Sequence, residues 1–203
     1  MNPDDPWAEI AAFDASPLAA VGRLAPWDLT ARAAGIVEAI LAALPPGYLI
    51  EDGVAVHASA SVEAGAVLKG PLIVGPACRI AAGAYLRGGC WLAEDCVVGP
   101  GAEVKSSFLF AAARLAHFNF VGDSILGGDV NLEAGAIIAN HRNERADPTI
   151  AIRVGGRVVE TGVTKFGALV GDGARIGANA VVAPGALLAR GTVVPRLGLV
   201  DQA

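Results

Sequence analysis

A step of six residues runs through most of the chain and limits what it can fold into. Counting from Val56, the positions are Val56, Val62, Leu68, Val74, Ile80, Leu86, Leu92, Val98, Val104 and Phe110, all large and apolar. The register returns as Val170, Ile176, Val182, Leu188 and Val194, and Leu126, Leu132 and Ile138 keep the spacing in a shifted phase. Four residues after each anchor stand Ala60, Ala66, Leu72, Cys78, Ala84, Cys90, Cys96, Ala102 and Phe108, most of them small. Ala174, Ala180, Ala186 and Thr192 repeat this later. A helix repeats every 3.6 residues and a strand every 2, so neither produces a period of six. A solenoid of short strands and turns does, with one large and one small residue facing inward on each side.

Composition agrees. Hydrophobic types make up 54% of the 203 residues but aromatics only 5%, with 26 glycines. Such a chain is long enough to bury a sizeable core and too apolar to be disordered. The net charge of −5 weighs against a general nucleic-acid binder, which neutralises phosphates with a basic surface. No apolar run reaches the length of a membrane span. The nearest, from Ala33 to Leu44, is short and carries Glu38. Met1 to Trp7 holds Asp4 and Asp5 and no basic residue, unlike a secretory signal. Three cysteines make no disulfide framework. A cytoplasmic protein without membrane or nucleic-acid partners is expected.

The rhythm divides the chain into a helical N-terminal cap over residues 1–50 and a solenoid over 51–203, with inserted loops at 111–125 and 140–166. Pro26-Trp27-Asp28 followed by LTARAAGIVEAILAAL reads as a helix ending before Pro45-Pro46. Residues 5–13 suggest a shorter helix. Both are expected to cover the open end of the solenoid, where backbone groups would otherwise lie unpaired. In the second insertion, Ile150–Val154 and Arg157–Glu160 flank Gly155-Gly156 and read as a hairpin.

The rhythm resembles that of the hexapeptide-repeat transferases. Their fold is a left-handed parallel β-helix in which three hexapeptides make a triangular coil of 18 residues. On that coil Cys78 and Cys96 stack on one face, and all three cysteines read as small core residues. Lys69, Arg87 and Lys105 form a column of cations on adjacent coils, which suits an anionic ligand such as a phosphate. Of the three histidines, His57 lies in the first repeat, whereas His117 and His141 sit at the two breaks in rhythm, where a neutral imidazole can serve as a base.

A closer resemblance lies in AYLRGG (84–89), AEVKSS (102–107), AHFNFVGDS (116–124), DVNLEAGAIIAN (129–140) and KFGALVGD (165–172), which occur in this order. They are similar to the acetyltransferase domain of bifunctional sugar-1-phosphate nucleotidylyltransferase/glucosamine-1-phosphate acetyltransferases. The upstream nucleotide-binding motif of that family is missing, so nucleotidyl transfer is not expected. The resemblance implies His117 as general base, Arg87 and Lys105 as grips on the sugar phosphate, and Asn131 and Asn140 as holders of the sugar. It implies a backbone N–H at Ala134 facing the acetyl carbonyl, acetyl-CoA as co-substrate, no structural metal, and a homotrimer with acyl-CoA in grooves between subunits. Asp172 and Arg190 fall near the region that contacts CoA. The chain departs from the family at Phe120, where a tyrosine is usual, and in the lysine a few residues beyond Asn140, for which Arg142 or Arg145 is the substitute. His141 stands where an aromatic is common.

Three functions compete on these residues. One is acyl transfer from acyl-CoA to an amino or hydroxyl group of a phosphorylated or nucleotide-linked sugar. Another is a non-catalytic trimeric β-helix that binds a sugar nucleotide. A third is a γ-type carbonic anhydrase, which needs three histidines converging on zinc, whereas His57 lies several coils from the other two.

Overall fold

The computed structural model describes residues 5–202. The chain winds into a three-sided parallel β-solenoid. The first side has eight strands, seven of them parallel from Val54–His57 to Ala186–Leu188, with Tyr48–Glu51 added antiparallel at the start. The second side runs from Ser61–Val62 to Val193–Val194 and the third from Val67–Leu68 to Leu199–Val200, each with seven strands. The six-residue anchors point inward and stack. Val74, Ile80, Leu86, Leu92, Val98 and Val104 are all buried, with Cys78, Cys90, Cys96 and the small alanines filling the corners. Each buried aliphatic side chain contributes about 1.5–3 kcal/mol. Their repetition from coil to coil makes the stack additive.

Residues 111–125 are not an inserted loop. They carry the strands Arg114–Leu115, Phe120–Gly122 and Ile125–Leu126, each paired in parallel with the coils on both sides. The phase is lost because two corners are one residue short. Glu103 pairs with Tyr85, 18 residues back, but Phe108 pairs with Trp91, only 17 back. The inward anchor is therefore Leu109, and Phe110 and Phe108 pack outside the tube. A second short corner separates Val121 from Leu126. At these corners a single residue, Ser106 or Asp123, turns the chain with φ of +48° and +45°. Buried serines repair the tight turns: Ser107 Oγ–H donates to Lys105 O, and Ser124 Oγ–H to Gly122 O.

The 140–166 insertion carries the expected hairpin, with Ala151–Val154 antiparallel to Arg157–Glu160. The N-terminal segment forms 3-10 turns at Pro6–Glu9 and Pro17–Val21 and two helices, Pro26–Ala31 and Ala33–Leu41. Proline in the first turn of three of the four needs no N–H there. This segment covers the flank of the tube, not its open end. The first side presents a second apolar row outward, including Ile73, Trp91, Phe108, Ile125 and Leu169. Trp7, Phe13, Leu29, Ile36 and Val37 lie over it, joined by Ile150, Ile152 and Phe166 from the insertion. A helix with one apolar stripe is best buried on an apolar sheet face, and the first side offers one. Gly89 permits the approach, since a Cβ there would stand 2.5 Å from Ala34 N.

Candidate functional site

The third side carries two rows of outward side chains. Tyr85, Glu103 and Phe120 are in register on adjacent coils, and so are Arg87, Lys105 and Gly122. Lys69 extends the second row, its N–H bonded to Leu86 O. The column of cations read from the sequence is therefore present. Both Lys69 Nζ and the Arg87 guanidinium lie over the Tyr85 ring, at 5.2 and 5.6 Å from its centre.

Each main cation has a carboxylate, however. Arg87 meets Glu103 at 2.7 Å, and both side chains are about one-third exposed. Lys105 Nζ donates to both oxygens of Asp123, at 2.8 and 2.9 Å, and to Ser106 Oγ at 3.1 Å. This pair is sheltered, with Lys105 17% and Asp123 7% exposed. Asn140 Nδ2 donates to the same Asp123 carboxylate at 2.5 Å. The shortened corner explains the cluster: with one residue in the turn, Asp123 directly follows Gly122, the register partner of Lys105. Gly122 also leaves room, because a Cβ there would sit 2.7 Å from Asn140 Nδ2.

His117 occupies the opposite edge of this side, in the turn entering strand Phe120–Gly122. The imidazole is exposed. The His117 carbonyl accepts the N–H of Gly135 at 2.9 Å, so the exposed turn holding Ala134 is stacked beside it on the next coil. Between this edge and the Lys105 edge lies the length of one short strand, about 10 Å at the usual rise per residue. His117 also borders a groove of about 330 Å³ that runs onto the second side past Glu63, Arg79 and Pro100.

The remaining expected residues separate. Asn131 points outward on the second side, in register with Arg114 and Arg175, and lines a different groove of about 320 Å³ with Glu133 and Arg196. Arg142 is not an open cation. Its side chain is 3% exposed, donating to Asp201 at 2.7 Å and to Pro184 O at 2.8 Å, which clamps the insertion to the last residues. Arg145 is half-exposed, with its Nε 3.9 Å from Glu144. Asp172 accepts the N–H groups of Ala11 and Gly128, and Arg190 reaches it at 3.5 Å. His141 Nδ1–H donates to Thr164 O at 2.9 Å.

Two site residues escaped the sequence reading. Asp123 was hidden by the lost phase around the short corners. Lys165 lies 25 positions beyond Asn140, but the insertion loops back so that Phe166 N–H donates to Asn140 O at 3.0 Å. That sets the exposed Lys165 beside Asn140. A cation resuming after a hairpin, at the head of KFGALVGD, was the available signal.

The cysteines belong to the core. Cys78 Sγ–H donates to Ala93 O at 2.9 Å and Cys96 Sγ–H to Phe110 O at 3.3 Å, and the neighbouring Cys78 thiol together with burial holds the Cys96 thiol well above its ordinary range. Burial pushes Cys90 up to about 11. Among the described residues, no group of three or more His, Cys, Asp or Glu could hold a metal ion, and no helix is long and apolar enough to cross a membrane.

The chain is similar to bifunctional sugar-1-phosphate nucleotidylyltransferase/acetyltransferases. One from Sulfurisphaera tokodaii is 36% identical over 73 residues, 36% of this chain and 18% of that protein. The bifunctional protein GlmU of Methanococcus vannielii matches at 36% over 73 residues, 17% of its length. That of Leifsonia xyli matches at 51% over 39 residues, 8% of its length. The matched region thus spans less than one-fifth of these curated relatives. No family model matches. Among solved structures, a hexapeptide transferase family protein from Anaplasma phagocytophilum aligns over 69% of this chain and 72% of its own, at 16% identity and a TM-score of 0.32. The acetyltransferase domain of PglB from Neisseria gonorrhoeae aligns over 89% of this chain and 74% of its own, at 18% identity and a TM-score of 0.25.

Proposed function

We propose that the protein is a hexapeptide-repeat acyltransferase that moves an acyl group, acetyl in the first instance, from acyl-CoA to a phosphorylated or nucleotide-linked sugar. The observation that carries this reading is the third side itself. A cationic edge of Arg87 and Lys105, with Asn140, faces an imidazole edge of His117 across one strand. The partial likeness to a protein named as a bifunctional nucleotidylyltransferase/acetyltransferase supports it.

In this reading the phosphate of the acceptor is held at the cationic edge and its amino or hydroxyl group lies near His117. That group attacks the thioester carbonyl, and the His117 imidazole takes the proton the nucleophile sheds. The new C–N or C–O bond replaces the C–S bond, and the CoA thiolate recovers the proton. The N–H at Ala134 donates to the carbonyl oxygen as negative charge develops there. Lys165, not Arg142, supplies the third cation beside Asn140. Phe120 brings no hydroxyl to the acceptor, so a preference different from glucosamine 1-phosphate is expected. Acyl-CoA lies in a groove between subunits of a homotrimer in the cytoplasm, and Asn131 on the second side meets substrate only through such a neighbour.

The test is release of free CoA thiol from acetyl-CoA with a panel of amino-sugar phosphates and nucleotide-linked amino sugars. His117→Ala is expected to fold normally and lose transfer; unchanged turnover removes His117 from the mechanism. The competing reading, a non-catalytic sugar-nucleotide binder, draws on Phe120, which brings no hydroxyl to an acceptor. Thermal stabilisation by sugar nucleotides but by no CoA compound would select it.

A further inference from the structure

The inward position that precedes each third-side strand is alanine in Ala66, Ala84, Ala102, Ala136 and Ala180. Backbone bonds between coils align these residues as one column: Val67 N–H to Ala84 O, Tyr85 N–H to Ala102 O, Glu103 N–H to Asn119 O, and Ile137 N–H to Ala180 O. Asn119 breaks the column. It is 2% exposed, among methyl groups, where a carboxamide is costly unless every polar atom is bonded.

It is only half satisfied. Nδ2 donates to Glu133 O at 2.8 Å and to Ala136 O at 3.2 Å, whereas Oδ1 has no partner. Both neighbours are carbonyl oxygens, so the amide must present its NH₂ to them. The chain thus tolerates a buried polar penalty at this coil and at none of the five alanine coils. Local rules broken without structural gain point to function.

The location identifies that function. Glu133 and Ala136 bracket the turn holding Ala134 and Gly135, and Gly135 N–H is bonded to His117 O. Asn119 follows His117 by two residues, across Phe118 with φ of +52°. The 117–119 turn and the 133–136 turn are therefore tied twice, by a backbone bond outside and by the Asn119 amide inside. From the far side, the Glu133 carboxylate accepts Ala178 N–H at 2.9 Å and Arg196 Nε–H at 2.8 Å. The turn between the imidazole and the next coil is braced from within and without.

We infer that Asn119 is a positioning residue that fixes the spacing between His117 and the Ala134 turn. What the spacing serves rests on the acyl-transfer reading. A proton acceptor and an N–H donor that act on one reacting carbonyl must hold their separation, and a misplacement of about 1 Å can cost up to a hundredfold in rate.

Asn119→Ala and Asn119→Ser test this. Alanine restores the column, and Glu133 O keeps the Ala136 N–H at 3.2 Å, so melting at or above the wild-type temperature is expected. The kcat for acyl transfer should fall about tenfold or more. KM for the acceptor should stay within about twofold, since ground-state binding is untouched. The serine variant, with one hydroxyl donor, should recover part of the kcat. Independently of activity, hydrogen exchange at the Gly135 amide should speed up in Asn119→Ala while that at Tyr85 does not change. Unchanged kcat, unchanged Gly135 exchange, or a kcat loss that only tracks lowered melting would overturn the inference. If the wild type acylates no acceptor, the acyl-transfer reading fails, and Gly135 exchange alone decides whether Asn119 braces the turn.

Discussion

Asp123→Asn separates a sheltered ion pair from an exposed one within a single column of cations. The substitution keeps the shape of the side chain and the tolerance of a short polar residue for φ near +45°. It removes the charge that faces Lys105 at 2.8 Å and leaves a single carbonyl oxygen for the donors of Lys105 and Asn140 to share. Breaking a buried pair from one side costs about 3–5 kcal/mol, because the other charge is left uncompensated. Lys105 is 17% exposed and can turn partly to water, which brings the cost to the bottom of that range or just below it, about 2–3 kcal/mol. For a chain of this size that corresponds to a fall in Tm of roughly 4–12 °C. The control is Glu103→Gln, which breaks the exposed pair with Arg87 and should cost at most about 1 kcal/mol. Urea denaturation of both variants at neutral pH supplies the comparison. Equal losses, or a loss below about 0.5 kcal/mol for Asp123→Asn, would refute the claim that the short corner builds a sheltered cation.

Two further outcomes are expected. Arg87→Ala should raise KM for the phosphorylated acceptor far more than KM for acetyl-CoA, and Lys165→Ala should do the same; an equal rise for both substrates in steady-state kinetics would show that this edge does not select the phosphate. Cys90 titrates near 11 when folded, against about 9 when free. A raised value means that its contribution is complete below pH 9 and is lost as pH rises towards 11, by up to about 3 kcal/mol. Urea midpoints in reductant at pH 8, 9 and 10 should therefore fall less steeply in Cys90→Ala than in the wild type, and parallel slopes would count against it.

The sequence made the tube legible because one physical demand, an apolar residue inside each side, recurs from Val56 onward at a fixed step. It also placed Arg87 above Lys105. It misread Phe110 as an anchor because shortening a corner by one residue leaves the stack intact while shifting every later number. That same shift concealed Asp123. The sequence points the helices to the open end because a bare end is a general liability of solenoids. What decides their seat instead is the outward row of Ile73, Trp91 and Phe108, which a six-residue rhythm tuned to the interior does not report. Arg142 could not be recognised as a clamp, since Asp201 lies 59 positions away. Lys165 was missed for the converse reason: the hairpin lengthens the sequence between it and Asn140 without lengthening the distance between their backbones.

The roofed flank has a consequence for solubility. A row of bulky apolar side chains on a flat parallel sheet is an adhesive strip, and sheets with such strips stack face to face about 10 Å apart. The N-terminal segment and the hairpin insulate that strip within the same polypeptide. A protease cut in the Gly22–Ala25 connection, which joins a 3-10 turn to the first helix, would loosen the insulation while leaving the tube wound. Clumping would then precede unfolding, and the shelf life of the protein would depend on this seam more than on its interior.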